Sequence, residues 1–259
     1  TWIASGLEPD ATDDNCTVSP DLYHSFDGTN WISGDVNGHA FPIGITNVIY
    51  KVIDDALNES LTCNFDVVVE GVTVTGTVKY YNAANTPMYG VTKPTTVALG
   101  GTTHTTTTNS SGEYSFTDVS LGTYDVVVTT TADKGGINST DAAQVNYWTT
   151  FNSSIQLVRY YAGDVTGDNS ILSNDATKIQ EYFLTLGNPS PTWISDWTFW
   201  NVDEFISSNS GPGGYPQVTV TDAAPSMNHD LYALVTGDFN RSFTPGTDNS
   251  GSENLTLNT

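Results

Sequence analysis

A twelve-residue loop at 164–175 constrains this chain more than any other stretch of its sequence. Its first, third, fifth and twelfth places carry oxygen-bearing side chains, and a further one stands between them, giving the set Asp164, Thr166, Asp168, Ser170 and Asp175. Ile171 occupies the eighth place, and a helix pattern follows at once. This is the spacing by which such a loop wraps a Ca²⁺ ion. We therefore predict a calcium site with these five residues as ligands.

The balance of charge narrows the class of protein. Of 259 residues, 7 are Lys or Arg and 29 are Asp or Glu, which gives a formal net charge of −22. A polyanion of this kind does not bind nucleic acid or anionic lipid unaided. Only 14% of the residues are charged, and this polar, β-prone composition is typical of secreted sandwich proteins. In such a chain a divalent ion can act as a structural staple.

The start of the chain and its apolar segments bear on its location. No apolar run approaches the length of a membrane span, and no signal peptide begins the chain. Because the chain starts at Thr1 rather than at Met, we interpret it as a processed or excised product. Together with the acidic composition, this predicts an extracellular or cell-surface protein.

Two cysteines, Cys16 and Cys63, are interpreted together. They are either two buried thiols or a disulfide, and an acidic, secreted chain favours the disulfide. Closing a loop of that length would stabilise the fold by about 4 kcal/mol on the chain-entropy model. Sequons provide candidate glycosylation sites at Asn15, Asn58, Asn109, Asn138, Asn152, Asn240 and Asn254. In a chain this rich in Asn and Thr, many sequons arise by chance.

Residues 1–70 show strand patterns. Apolar or cysteine residues stand at every second position of one stretch, as Leu61, Cys63, Phe65, Val67 and Val69. This alternation predicts a half-buried strand with Cys63 facing inward. Another strand is predicted before it, through Val48, Tyr50 and Val52, with the acidic pair at 54–55 in the connection.

Three motifs in this first segment resemble the hyalin-repeat (HYR) domain. They are ATDDNC at 11–16, FPIGIT at 41–46 and LTCNFDV at 61–67. The resemblance implies an immunoglobulin-like sandwich that serves in adhesion or as a spacer, without catalysis. An HYR domain normally opens with a further strand, and this chain begins after the place where that strand would stand.

Residues 71–131 are predicted to form a second antiparallel sandwich. Apolar residues alternate along 72–78, and Gly-flanked aromatic strands follow at 112–116 and 122–128. Through Gly76, a TPMYGV motif and these closing strands, the segment resembles a carboxypeptidase regulatory-like domain of the prealbumin type. The resemblance implies a passive scaffold.

Residues 132–247 contain one pattern twice, at 135–143 and at 171–177. Each copy runs from an apolar residue through polar residues to an Asp and then a helix. The pair resembles a dockerin, whose two loop–helix repeats each hold Ca²⁺. In the complete loop Asn169 replaces the usual Gly at the sixth place, and Asn tolerates the left-handed conformation. Thr166 offers a weaker ligand than Asp or Asn at the third place.

The first copy lacks the front half of its loop, and a matching half stands near the far end of the chain. Asp238, Asn240 and Ser242 occupy its first, third and fifth places, with no helix after them. These residues would complete a split second calcium site by meeting Asp141; a plain turn is the alternative. The segment between the repeats resembles a Trp-rich insertion found in secreted bacterial surface proteins.

No constellation of residues indicates catalysis. Trp193, Trp197 and Trp200 are either a stacking platform for sugars or core residues. Asp54 and Asp55 are typical of a hairpin turn and need no glycosidase chemistry. The four histidines lack zinc-ligand spacing, and the sequence shows no nucleophile elbow, phosphate loop or metalloprotease helix. We predict that the protein is not an enzyme.

The tail at 248–259 is a candidate assembly strand, with Leu255 and Leu257 on one side; a frayed terminus is the alternative. A sandwich that lacks a strand exposes an edge, which is a template for strand addition from another chain. A tail in one molecule and a gap in the next would make a head-to-tail contact that builds fibres.

The sequence thus predicts a mainly β fold: two tandem Ig-like and prealbumin-like β-sandwiches, followed by a dockerin-like, calcium-binding α+β module. The leading hypothesis is a structural subunit of an extracellular bacterial filament or surface appendage. Its cofactor is Ca²⁺, its partners are copies of itself, and Ca²⁺ and a disulfide make it rigid. The alternative is a non-catalytic adhesion module of a larger secreted protein that binds a glycan or a protein. Neither hypothesis involves nucleic acid or a membrane span.

Overall fold

The computed structural model describes residues 2–9, 19–185 and 193–246. Strands dominate these residues and three helices accompany them, so the chain is mainly β as predicted. It divides into two compact units, Thr1–Val72 and Thr73–Thr259, which we call unit 1 and unit 2. The division lies two residues beyond the boundary expected after residue 70.

Unit 1 is built from short strands around one long hairpin. Its strands are β1 (Trp2–Ile3), β2 (Asp21–Ser25), β3 (Ile32–Ser33), β4 (Ala40–Phe41), β5 (Gly44–Ile53) and β6 (Cys63–Val69). Four of them form an antiparallel sheet in the order β3-β2-β5-β6, and β1 pairs with β4. Within the hairpin, Val48 stands opposite Phe65 and Tyr50 opposite Cys63. The core of unit 1 lies on this face.

Asp54 organises the turn between β5 and β6. Its carboxylate accepts hydrogen bonds from the backbone N–H and the side-chain amide of Asn58, both at 2.8 Å. Leu57 takes a positive φ of 68° within the same turn. These contacts agree with the interpretation of the acidic pair as turn residues.

The predicted alternation along β6 is right for the second half of the strand and wrong for its start. Val67 is buried and both Phe65 and Val69 are half-buried. Leu61 is 97% exposed, and Cys63 is also exposed. Leu61 precedes the strand and Cys63 is its first residue, so no described element covers them. The prediction that Cys63 faces a buried interior is therefore wrong, although its backbone register places it beside Tyr50.

Unit 2 combines two larger sheets with the helices. Its strands are β7 (Val72–Tyr80), β8 (Thr86–Pro87), β9 (Thr95–Leu99), β10 (Thr105–Thr107), β11 (Glu113–Val119), β12 (Gly122–Thr130), β13 (Ile155–Gln156), β14 (Trp197–Asn201), β15 (Phe205–Ile206), β16 (Gln217–Val220), β17 (Ser226–Asn228) and β18 (Leu231–Val235). One sheet has the order β10-β9-β12-β16, and the other β11-β7-β18-β14, with β8 and β17 also on β7. Strands β7 and β9 bury every second residue, the period of a sheet with one face in the core.

The two segments expected as separate domains, 71–131 and 132–247, share both of these sheets. β12 pairs with β16, with Thr123 opposite Thr219, and β7 pairs in parallel with β17 and β18. A Cβ on Gly76 would lie 1.9 Å from the backbone oxygen of His229, between β17 and β18, so this close approach to β7 requires glycine. Long-range backbone pairing therefore makes one unit of the two segments.

Three helices complete unit 2: α1 (Ser139–Phe151), α2 (Leu157–Gly163) and α3 (Ser173–Leu184). α3 is the helix predicted after the loop, and it packs against α1. α1 begins at a capping box, in which the Asn138 side chain accepts from Thr140 N–H while Asp141 accepts from Asn138 N–H. Each of the two helices therefore begins directly at a loop predicted to bind calcium.

Candidate calcium sites

Asp164, the first residue of loop 1 (residues 164–175), is held by the backbone that follows it. Its side chain is only 2% exposed. The Oδ1 atom accepts from Gly167 N–H at 2.8 Å and Asp168 N–H at 3.2 Å, and Oδ2 accepts from Asn169 N–H at 2.9 Å. Gly167 and Asn169 turn the chain with φ angles of 73° and 60°. Asn169 thus adopts the left-handed conformation that its place in the loop requires.

Asp175, the last residue of loop 1, closes it from the other side. Asp175 is fully buried and accepts from Thr166 N–H at 3.1 Å and from Leu172 N–H at 2.9 Å. The Thr166 hydroxyl lies 3.0 Å from Asp175 Oδ1 and 3.4 Å from Asp164 Oδ1. Both carboxylates therefore face the third place of the loop. Ser170 N–H donates to Asp168 Oδ1 at 2.9 Å, a bond between the seventh and fifth places of the loop.

The structure also brings together the residues of the predicted split site. We call residues 238–243 its front half and residues 136–141 its rear half. Asn240 N–H donates to Asp141 Oδ1 at 2.7 Å, across 99 residues of sequence. Ser242 N–H donates to Asp238 Oδ1 at 3.0 Å, and both Asp141 and Asp238 are fully buried. An isolated plain turn would not make the contact between the two halves.

The split site repeats most of the carboxylate hydrogen bonds of loop 1 at equivalent places. The bond from Asn240 N–H to Asp141 corresponds to the bond from Thr166 N–H to Asp175. At the fourth place, Arg241 has a φ of 64° where Gly167 has 73°. The Ser242 hydroxyl lies 3.2 Å from the backbone oxygen of Gly136, the seventh place. The two halves therefore form one loop whose chain is interrupted between the sixth and seventh places.

Burial shapes the electrostatics of both loops. It raises the pKa of Asp164 to about 6, and the neighbouring Asp175 adds to this shift. Burial also raises the pKa of Asp141 to about 7, although the hydrogen bond from Asn240 N–H lowers it. The nearby Asp238 carboxylate adds to the upward shift. Buried like charges of this kind are costly unless a cation or a proton neutralises them. Carboxylate, hydroxyl, amide and backbone oxygens together are the donors that Ca²⁺ prefers.

The donor sets are low in charge. Within residues 2–9, 19–185 and 193–246, no group of three or more His, Cys, Asp or Glu side chains converges on one point. Each loop offers two buried carboxylates, while Asp168 is exposed in loop 1. Neutral oxygens must supply the remaining ligands of an ion at either place. Since affinity follows ligand charge, we expect loop 1, with its third carboxylate, to bind calcium more tightly than the split site.

Sequence reasoning missed two positions that shape the split site. Asn138 caps α1, and its side-chain amide also donates to Gly136 O at 2.7 Å. Tyr80, at the end of β7, donates from its hydroxyl to Asp238 Oδ2. The place of Asn138 three residues before Asp141 is the sequence signal of a capping box. Tyr80 has no local signal, because its partner lies 158 residues away.

The asparagines of the sequons differ in their exposure and surroundings. Asn58 and Asn109 are exposed. Asn138 and Asn240 belong to the split site, and a glycan on Asn138 would remove the amide that contacts Gly136. Asn152 ends α1 with a φ of 34°. Asn15 and Asn254 lie outside the described residues.

Two further sets of predicted residues involve positions that the structure does not describe. Cys16 lies outside the described residues, so the disulfide with Cys63 stays a prediction. An intact-mass measurement before and after reduction checks it. Leu255 and Leu257, the predicted assembly strand, also lie outside them.

The three tryptophans have different surroundings. Trp200 is a core residue: it is 5% exposed, stacks on Tyr161 at 4.6 Å and donates from Nε1 to Glu204 at 2.7 Å. Trp193 stacks on Tyr182 at 4.9 Å between ring centroids. Trp197 is half-buried and lines a cleft of about 450 Å³ beside loop 1.

Comparison with known proteins identifies one domain. The HYR domain model matches residues 17–69, about a fifth of the chain and most of unit 1. HYR is an adhesion-type domain from a non-enzymatic family, and the match is consistent with a surface structural or adhesion role. No curated protein matches the chain. No helix among the described residues is long and apolar enough to cross a membrane.

Among solved structures, the crystal structure of BcpA, the major pilin subunit of Bacillus cereus, is similar at 9% identity and a TM-score of 0.30. The match covers 77% of this chain and 41% of that one. A score of 0.30 does not establish a shared fold. The chain spans about two fifths of the length of that pilin subunit.

Proposed function

We propose that this protein is a structural subunit of an extracellular bacterial filament or surface appendage. It assembles head to tail by β-strand complementation, and Ca²⁺ in the two loops and a disulfide between Cys16 and Cys63 make it rigid. The observation that carries the proposal is the group of partly exposed apolar side chains that pack on the core of unit 1. The HYR match over residues 17–69 supports it, because that domain serves at surfaces.

Among the described residues of unit 1, several apolar side chains at the edge of the core stay partly exposed. Six residues form its buried centre, Ala4, Val36, Phe41, Val48, Tyr50 and Val67. Five more apolar side chains pack against this centre but stay partly exposed, Leu7, Leu22, Phe26, Phe65 and Val69. Covering such side chains stabilises by about 25 cal/mol for each Å² of apolar surface removed from water. A strand laid over them would therefore gain free energy of binding.

The edge of the unit 1 sheet offers a place for such a strand. Within the described residues β6 pairs with β5 alone, and β6 stands at the end of the sheet. Its Val68 is 60% exposed beside Ile45, which is 71% exposed. An open edge with apolar side chains on it templates strand addition. A contact between such an edge and a distant tail is heterologous, so it propagates instead of closing.

Calcium would have a structural role in unit 2. A bound ion supplies positive charge that neutralises the buried carboxylates and links the segments that carry them. In loop 1, Asp164 and Asp175 would hold it, next to the start of α3. In the split site, Asp238 and Asp141 would hold it and tie the end of the described chain to the start of α1. The result is a subunit that resists unfolding when calcium is present.

Deletion of residues 252–259 is expected to abolish assembly and to leave the subunit folded, since the tail supplies the donor strand. Electron microscopy and light scattering of the full chain in calcium buffer should show filaments, and the deletion variant should give monomers with an unchanged melting temperature. A double substitution, Leu255→Ser with Leu257→Ser, should act like the deletion. Thr256→Ser, between them, is the matched control and should still assemble. A full chain that stays monomeric at high concentration, or a deletion variant that still polymerises, contradicts the proposal.

A second candidate function is a glycan-binding module, and the cleft beside loop 1 favours it. Trp197, Phe199 and Tyr215 line this cleft, and Tyr215 is 57% exposed. No Lys or Arg stands among the lining residues, so the cleft does not suit anionic ligands. Aromatic faces beside polar groups suit the stacking of a neutral sugar.

Replacement of Trp197 by alanine is the test of this candidate. We expect Trp197→Ala to lower the affinity for a neutral glycan by tenfold or more, as a lost aromatic anchor commonly does. A glycan array followed by titration calorimetry measures the affinity. Trp31→Ala, which removes a half-buried tryptophan of unit 1, is the control and should bind as before. An array on which the full chain binds no glycan removes this candidate.

A further inference from the structure

The split site needs a substitute for a missing covalent link. In loop 1 the peptide between Asn169 and Ser170 joins the front and rear of the loop. In the split site the front half ends at Phe243 and the rear half resumes at Gly136, so no peptide joins them. For the ligands to be in place before an ion binds, other contacts must hold the front half against the rear half.

The last residue of β7 holds the first ligand of the front half. Tyr80 is fully buried, and its hydroxyl donates to Asp238 Oδ2. The same hydroxyl accepts from Val235 N–H at 3.3 Å, at the end of β18. Asp238 Oδ2 also accepts from Phe243 N–H at 3.1 Å, while Oδ1 accepts from Ser242 N–H. Tyr80 thus fixes Oδ2, while Oδ1 contacts Ser242 at the fifth place.

Asn82, two residues after Tyr80, holds the other end of the front half. Asn82 is 7% exposed, and its side-chain amide donates to Phe243 O at 3.0 Å. Its Oδ1 accepts from the backbone N–H groups of Ala84 and Thr86, which orients the amide. Tyr80 and Asn82 therefore contact the front half at its first and its sixth place.

Packing brings the two halves into contact at the interruption. The Phe243 ring meets the Tyr80 ring edge to face at 5.6 Å between centroids. A Cβ on Gly135 would lie 2.6 Å from the Phe243 ring, and a Cβ on Gly136 would lie 2.6 Å from Phe243 Cβ. The two glycines let Phe243 approach the rear half where the peptide is absent.

We propose that Tyr80, at the end of β7, and Asn82, two residues beyond it, replace the missing peptide of the split site, and that Tyr80 is the positioning residue that presents Asp238 to the ion. The inference rests on the proposed calcium sites and adds a coupling to them. Because β7 pairs with β18, an ion in the split site stabilises the sandwich sheet as well as the helices. Loop 1, whose chain is continuous, does not depend on Tyr80.

Calcium titration calorimetry on the full chain tests the coupling. Asp175→Asn in loop 1 leaves the split site to be measured alone, and Asp141→Asn leaves loop 1. In the first background, Tyr80→Phe should weaken calcium binding about tenfold, because a buried hydrogen bond to a carboxylate is lost while the ring is retained. In the second background, the same substitution should change nothing.

Three further measurements separate positioning from general stability. Tyr114→Phe is the matched control, since it removes another buried hydroxyl of unit 2, which donates to His229 O at 2.5 Å, and it should alter neither site. Asn82→Ala should weaken the split site alone. Calcium should change the near-ultraviolet tyrosine absorbance of the Asp175→Asn protein, and Tyr80→Phe should remove that change.

The outcomes distinguish this inference from the proposed function. If the unsubstituted chain binds no calcium at all, the calcium role in the proposed function and the inference both fall. If the chain binds two ions but Tyr80→Phe leaves the split site unchanged, or weakens both sites equally, the inference falls and the calcium role stands. Selective weakening of the split site by both Tyr80→Phe and Asn82→Ala supports it.

Discussion

Removal of calcium with EGTA should lower the melting temperature of unit 2 by roughly 10 °C or more. An ion bound only by the folded state adds about 4 kcal/mol when free calcium exceeds its dissociation constant a thousandfold. In a unit of this size, about 1 kcal/mol shifts the midpoint by roughly 2–4 °C. The buried carboxylates of both loops are then left without a neutralising charge. Differential scanning calorimetry with calcium and with EGTA measures the shift.

The control for this prediction is a protein that cannot hold the ions. A double variant, Asp141→Asn with Asp175→Asn, should melt at one temperature whether calcium or EGTA is present. Added calcium should restore the original midpoint of the unsubstituted chain after chelation. If the melting temperature of the unsubstituted chain is the same with and without EGTA, calcium does not stabilise this fold.

Gly136→Ala should lower the free energy of unfolding by about 2–5 kcal/mol and abolish calcium binding at the split site. The φ of Gly136 is 83°, and a side chain in this left-handed region costs about 1–2 kcal/mol. The new Cβ would also lie 2.6 Å from Phe243 Cβ and 3.0 Å from Asp238 Cγ, and such overpacking costs about 1–3 kcal/mol. Urea unfolding and calcium titration in the Asp175→Asn background measure both effects.

Gly101→Ala separates the two causes. Gly101 has a similar φ of 74°, but a Cβ there would meet nothing within 4 Å. It should therefore cost only about 1–2 kcal/mol from backbone strain and leave both calcium sites intact. Equal losses for the two variants would show that the contact between the halves contributes nothing.

Loop 1 is the part of the site that local sequence specifies. Its candidate ligands lie within twelve residues, and Asn169 at the sixth place takes the left-handed conformation that its residue type allows. Alternation likewise predicts the strands of unit 2, because burial on one face requires a period of two. These features depend on neighbours in sequence, so they can be inferred from one chain.

Burial at the start of β6 shows where such inference stops. The alternation through Cys63 correctly predicts which side of the strand it occupies, beside Tyr50. It does not predict that this side is uncovered there, since cover comes from other segments. Register is a local property, whereas exposure depends on the whole unit.

The extent of unit 2 also depends on contacts that are distant in sequence. Motifs favour a sandwich at 71–131 and a calcium module at 132–247, and the structure has strands in the first segment and both helices and strands in the second. Their union depends on backbone pairs such as Thr123 with Thr219, which are 96 residues apart. The backbone N–H and C=O groups at a strand edge can pair with any strand that folding brings beside them. No local sequence pattern predicts which strand that is.

By itself, the sequence determined the mainly β class, and it indicated the candidate ligands of loop 1 and the two halves of a second loop, because each is written in consecutive residues. Only the tertiary structure decided that Asp141 meets Asn240, and that Tyr80 and Asn82 hold the place of the peptide that is missing between the halves. Those contacts join segments about a hundred or more residues apart, and their geometry depends on how the sheets pack.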